Sequence, residues 1–166
     1  MKSSVFRQFC TLFLFFSLLQ PVLALPQADQ VLVVKSERTL YLKREGKSLR
    51  AYRIALGPVP WGHKRQAGDE RTPEGHYVLD FKNPDSRYYK SIRISYPNLQ
   101  DRFRAQSLGV SPGGNIMIHG QPPDAEWPPE VAQLFNWTDG CIAVSNEDMD
   151  EIWQAVSVGT PIEIRP

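Results

Sequence analysis

Residues 31–56 read VLVVKSERTLYLKREGKSLRAYRIAL, and their pattern decides the fold class. Apolar and polar residues alternate in two or three short runs, which is the period of half-buried strands and not of helices. Arg44-Glu45-Gly46-Lys47 supplies a turn between Leu40-Tyr41-Leu42 and the run that ends at Leu56. Outward from there, residues 57–75 (GPVPWGHKRQAGDERTPEG) are rich in Gly, Pro and charge without periodicity, so they read as a long loop of the kind that often carries function. HYVLDF (76–81) resumes a strand, KNPDSRYYK (82–90) reads as a turn, and SIRISY (91–96) sets Ile92, Ile94 and Tyr96 against Ser91, Arg93 and Ser95. Residues 97–114 read as irregular with room for a helical turn, and NIMIHG (115–120) as a short buried strand ending at His119.

Toward the C-terminus, QPPDAEWPPE (121–130) is a proline-rich loop, followed by a short helix around Val131 to Phe135 with Pro128 and Pro129 near its start. CIAV (141–144) reads as a strand. Ser145 and Asp148 form an S-x-x-D helix start, and Met149, Ile152, Trp153 and Val156 follow at helical spacing as a core stripe. Gly159 ends that helix, and Ile162 and Ile164 alternate in a closing strand. Many short strands with two late helices predict a mostly-β domain with short helices, a sandwich or barrel, over any alternating α/β fold. There is no G-x-G-x-x-G or P-loop pattern, so nucleotide binding has no support.

At the other end, Lys2 and Arg7 precede the apolar run CTLFLFFSLL (10–19), and QPVLA (20–24) puts Val22 and Ala24 at the small positions a signal peptidase reads. The expectation is a secretory signal over residues 1–24, cleaved after Ala24, and one domain over residues 25–166; any membrane association would run through the signal segment if uncleaved. Two of the 19 basic residues precede Leu25 and all 18 acidic ones follow it. The near-neutral remainder gives no electrostatic reason to expect nucleic acid as a partner.

Beyond the signal, Cys141 is the only cysteine. An exported chain with an odd thiol invites either chemistry or burial as a small hydrophobe. It opens a strand directly after Asp139-Gly140, and His119 closes another strand 22 positions earlier, so two strand ends can converge. A thiol needs a base or a positive neighbour to act as nucleophile. Of the three histidines, His119 is the best placed for that, against the alternative of a satisfied half-buried ring; His63 reads as solvated in its loop and His76 as exposed.

The combination of IMIHG (116–120) and WTDGCIAVSNEDM (137–149) resembles the L,D-transpeptidase catalytic domain (YkuD) family of bacterial cell-wall enzymes. His119-Gly120 match its first motif and Thr138, Gly140 and Cys141 its second, with 17 residues between. Thr72, Pro73, Gly75 and Tyr77 resemble its T-P-x-G-x-[FY] block, and PDSRYYKSIRISYPN looks similar to a periplasmic Gram-negative branch, some of whose members are hydrolases. Two positions depart from the family pattern: Asp139 stands where a histidine commonly precedes Gly-Cys, and Ala143 where many members carry arginine or asparagine. The resemblance implies a periplasmic enzyme acting on peptidoglycan stem peptides without metal or other cofactor. Cys141 would attack the carbonyl of the diaminopimelate-D-alanine link, His119 would serve as base, the Gly120 carbonyl would orient the ring, and backbone N–H groups at Asp139, Gly140 and Cys141, beside Thr138, would hold the oxyanion.

A carboxylate ~6 Å from the sulfur would oppose a thiolate by ~2.8 kcal/mol at an effective dielectric of ~20, so Asp139 is expected to face solvent or a cation, or to meet a substrate ammonium. Arg87, Tyr88, Arg93 and Trp137 are candidates for binding the stem peptide, with Arg102 and Arg104 as further cations and Trp127 as a second aromatic beside the loop. Three rivals share the sequence: a hydrolase on the same fold, an L,D-carboxypeptidase or an amidase releasing a wall-linked protein; a non-catalytic wall-binding module; and a glycosidase using two carboxylates such as Glu74 and Asp80.

Overall fold

The computed structural model describes residues 25–125 and 127–166; the signal expected at 1–24 lies outside the described residues. Among the described residues there are eight strands, β1 (Gln30–Val34), β2 (Thr39–Arg44), β3 (Lys47–Arg53), β4 (Gly75–Ser86), β5 (Tyr89–Ile94), β6 (Met117–His119), β7 (Ile142–Ala143) and β8 (Pro161–Arg165). They form one sheet in the order β3-β2-β1-β8-β4-β5-β6-β7. β1 pairs parallel with β8 and β6 parallel with β7, while the other neighbours are antiparallel. The two ends of that order meet, because Ala55 and Ala143 exchange both backbone hydrogen bonds at 2.9 Å. Through this one bridge the sheet closes on itself, giving a mostly-β fold with short helices, as expected for the sandwich or barrel that the alternation predicted.

The closing strand is central. β8 lies between β1 and β4, and this explains why Val31, Leu32 and Val33 form a continuous apolar run: β1 is flanked on both sides and buried. β2 alternates as expected, with Leu40 and Leu42 fully buried. The last helix, α3 (Asn146–Ala155), packs one face on the core, with Met149, Ile152 and Ala155 fully buried; Val156 follows them into the core and Trp153 packs at its edge. Ser145 caps it by accepting the Asp148 N–H. At its other end Lys82 of β4 donates to the carbonyls of Trp153 and Val156, a cation at the negative end of the helix.

Two segments differ from the sequence reading. KNPDS is not a turn: β4 runs on through it to Ser86, leaving only Arg87 and Tyr88 between β4 and β5. Past Val78, β4 pairs with β5 alone, so Pro84 has no second strand demanding its missing N–H. Residues 99–107 form a nine-residue helix, α1 (Leu99–Ser107), started by a capping box in which Asn98 accepts from Asp101 N and the Asp101 carboxylate accepts from Asn98 N. A shorter helix, α2 (Pro129–Ala132), begins at the prolines as expected and ends earlier than Phe135. Among the described residues no helix is long and apolar enough to cross a membrane.

Candidate active site

The register of three strands assembles the site. Ser91 of β5 is opposite His119 of β6, which is opposite Ala143 of β7, and one step along Arg93 is opposite Met117. Alternation then assigns faces. Ile92, Ile118 and Ile142 point to the core and are fully buried. Ser91, Arg93, Met117 and His119 share the other face, and Cys141, one residue before Ile142, joins them. By register His119 and Cys141 are therefore diagonal neighbours, Cys141 standing just before β7, with the small Ala143 opposite His119.

Each partner is held by backbone. His119 Nδ1 lies 2.7 Å from the Gly120 carbonyl, and since a carbonyl only accepts, Nδ1 carries the hydrogen and Nε2 keeps its lone pair. The Val144 N–H donates to the His119 carbonyl at 2.9 Å, locking β6 to the segment after Cys141. Burial pushes the imidazole pKa down to about 4 against the opposing Gly120 carbonyl. The Cys141 S–H donates to the Asn115 carbonyl at 3.5 Å and the thiol keeps partial exposure. Burial pushes the thiol above its ordinary range; the Met117 backbone opposes this, Asp139 adds to it, and Lys64 opposes it. The resting pair is thus a neutral thiol and a neutral imidazole.

The turn that presents Cys141 is equally fixed. Gly140 has φ of +106°, and a Cβ there would lie 2.4 Å from the Arg71 carbonyl. Its own carbonyl accepts from the buried Thr72 hydroxyl at 2.9 Å, and Thr138 Oγ1 donates to the Cys141 carbonyl at 2.7 Å. The loop supplying Thr72 is organised by two ion pairs. Asp69 binds Lys64 at 2.7 Å and the N–H groups of Arg65, Gln66 and Arg71; Lys35 binds Glu74 at 2.6 Å and the Gly62 carbonyl.

Of the residues chosen for binding, Tyr88 and Trp137 flank His119, with ring centroids at 4.7 and 5.6 Å. Arg87 is exposed over the Tyr88 ring and lines a concavity of about 490 Å³ with Gln121 and Asn146. Arg93 is on the same sheet face as His119, yet its guanidinium is engaged by Asp80 at 2.8 Å and lies over the Phe81 ring. Asp139 is exposed, as its charge requires. The Gly140 N–H donates to Thr138 Oγ1 at 3.3 Å, so of the three N–H groups expected to hold an oxyanion it is already turned to a side chain. Trp127 stacks near Phe135 instead of near the imidazole. Arg104 lies 3.7 Å from Asp101 in α1.

His63 is not solvated. Its Nδ1 accepts the Glu74 N–H at 3.0 Å, and its Nε2 lies 3.0 Å from buried Asp101, which also accepts from the Tyr77 hydroxyl. These groups border a concavity of about 900 Å³, which neither Cys141 nor His119 lines. The two carboxylates suggested for glycosidic chemistry each hold a cation of their own, Glu74 with Lys35 and Asp80 with Arg93. The sequence reading missed Asn115, Lys64 and Asn146 as neighbours of the site; the first two lie in loops and Asn146 opens α3, positions where residue type alone carries no signal.

Residues 28–164 match the family described as the L,D-transpeptidase catalytic domain, YkuD. Over 131 residues the chain is 34% identical to YafK of Escherichia coli K12, designated a candidate L,D-transpeptidase, covering 75% of this chain and 46% of YafK. The helical cell shape determining protein Pgp2 of Campylobacter jejuni is similar at a TM-score of 0.62 and 30% identity, covering 81% of this chain and 46% of Pgp2. An L,D-transpeptidase of Mycobacterium smegmatis shares the fold at a TM-score of 0.55 and 18% identity, over 82% of this chain and 58% of that one. The chain spans about half the length of YafK and of Pgp2.

Proposed function

Because the chain belongs to the L,D-transpeptidase catalytic domain family, we propose that it is a periplasmic cysteine acyl transferase acting on peptidoglycan stem peptides. The observation that carries this reading is the placement of Cys141 and His119 on one sheet face, with the imidazole held by Gly120 as a base free at Nε2.

With both groups neutral at rest, proton transfer accompanies attack. Nε2 of His119 takes the thiol proton as sulfur adds to the carbonyl carbon of the diaminopimelate-D-alanine bond. The oxyanion is met by the backbone N–H groups of Asp139 and Cys141, that of Gly140 being engaged by Thr138, each such donor typically contributing about 3 kcal/mol. Imidazolium then protonates the leaving amine, D-alanine departs, and a thioester remains on Cys141. An acceptor amine, or water, gives its proton to His119 and releases the acyl group. The energy of the broken peptide bond is retained in the thioester, so the exchange needs no nucleotide. Tyr88 and Trp137 wall the imidazole and exclude water from it, and Arg87 is an exposed cation available to stem carboxylates, whereas Arg93 is already paired with Asp80.

The test is incubation of the purified protein with defined disaccharide tetrapeptides, read by mass spectrometry. Loss of D-alanine with a thioester adduct on Cys141 is expected, and none in Cys141→Ser. Cross-linked dimers identify an amine acceptor, and shortened monomers identify water. Intact substrate with no adduct would end the proposal.

A further inference from the structure

The corner after β6 holds a peptide plane from both sides. The Gly120 carbonyl and the Gln121 N–H belong to one planar unit in which they point in opposite directions. The oxygen accepts from His119 Nδ1 at 2.7 Å, and the N–H donates to Asn146 Oδ1 at 2.8 Å. Gly120 admits this asparagine, since a Cβ there would lie 2.4 Å from Asn146 Oδ1. Asn146 is in turn anchored as the first residue of α3, directly behind the Ser145 cap.

Glycine makes rotation of an adjacent peptide plane cheap. A half-turn of this plane would replace the carbonyl in front of Nδ1 with the Gln121 N–H. Nδ1 would then accept, the ring hydrogen would move to Nε2, and the imidazole could no longer take the thiol proton. We propose that Asn146 is a positioning residue that, through the Gly120-Gln121 peptide plane, holds His119 as its Nδ1–H tautomer. The consequence for catalysis rests on the acyl-transfer reading above; the geometry does not.

The tautomer is read directly from ¹⁵N spectra of the imidazole at pH 7, in the wild-type protein and in Asn146→Ala and Asn146→Asp, alongside circular dichroism and the rate of Cys141 alkylation by iodoacetamide. The wild type should show one tautomer, hydrogen on Nδ1. Asn146→Ala should show a mixture and an alkylation rate lower by about tenfold, whereas Asn146→Asp, which keeps an acceptor oxygen, should stay within about twofold of wild type on the same scale. A wild-type ring with hydrogen on Nε2 overturns the proposal even if the alanine variant fails to fold. So does an unchanged tautomer in Asn146→Ala, or an aspartate variant that behaves like the alanine one. Should the wild type release no D-alanine while the tautomer responds as described, the reading of the reaction falls and that of Asn146 is supported.

Discussion

The Thr72 hydroxyl donates to the Gly140 carbonyl at 2.9 Å, fastening the 57–74 loop to the turn that presents Cys141. Thr72 is fully buried. Thr72→Val keeps the shape and removes the donor, leaving the carbonyl without that bond at a cost of about 1–3 kcal/mol. Thr72→Ser should retain most of that stability. Urea unfolding measures the difference, and Cys141 alkylation should slow more in the valine than in the serine variant.

Gly140→Ala is expected to be the more damaging change. Its backbone sits at φ +106°, and the added Cβ would meet the Arg71 carbonyl at 2.4 Å, a backbone atom that cannot swing aside. Strain and displacement together should cost about 2–4 kcal/mol and suppress acylation, measured by urea unfolding and by thioester yield.

Alkylation of Cys141 should show an inflection above the ordinary thiol range, since burial raises its pKa against Met117 and Lys64, with Asp139 adding to the rise. Asp139→Asn should lower that inflection only slightly, because Asp139 is an exposed carboxylate and its field is screened. High salt should mimic the substitution. A large drop would mean that Asp139 faces the sulfur closely.

His119 carries a sign that can be checked. Its folded pKa of about 4 lies below the unfolded value of 6.5, so the unfolded chain binds a proton first as pH falls. The contribution is complete above about 6.5 and is lost between there and about 4. At pH 4.5 wild type should have lost about 2 kcal/mol more, relative to pH 7, than His119→Gln. Turnover should hold down to the same region, its acid limb near 4 and not near 6.5.

Much of this protein could be read from local pattern. Period-two alternation in residues 31–56 is a property of consecutive side chains on a pleated strand, so it marks strands wherever they end up, and the Ser145 cap with its apolar stripe marks α3 for the same reason. The pairing of an H-G and a G-C motif drew attention to His119 and Cys141. Other features could not be found that way. Pro84 reads as a breaker until one knows that its strand is paired on one side only, and Asn98-Asp101 is a capping box only once α1 exists. His63 reads as loop filler, yet its partner Asp101 is 38 positions away. Whether Cys141 and His119 share a face depends on the register of β6 against β7, and the identities of Thr72, Lys64 and Asn146 as their supports depend on loops folding back over that register. Sequence determines what each residue can do with its neighbours in the chain. Only the closed sheet determines which distant groups become neighbours, because hydrogen-bond register and close packing are satisfied across the whole molecule at once.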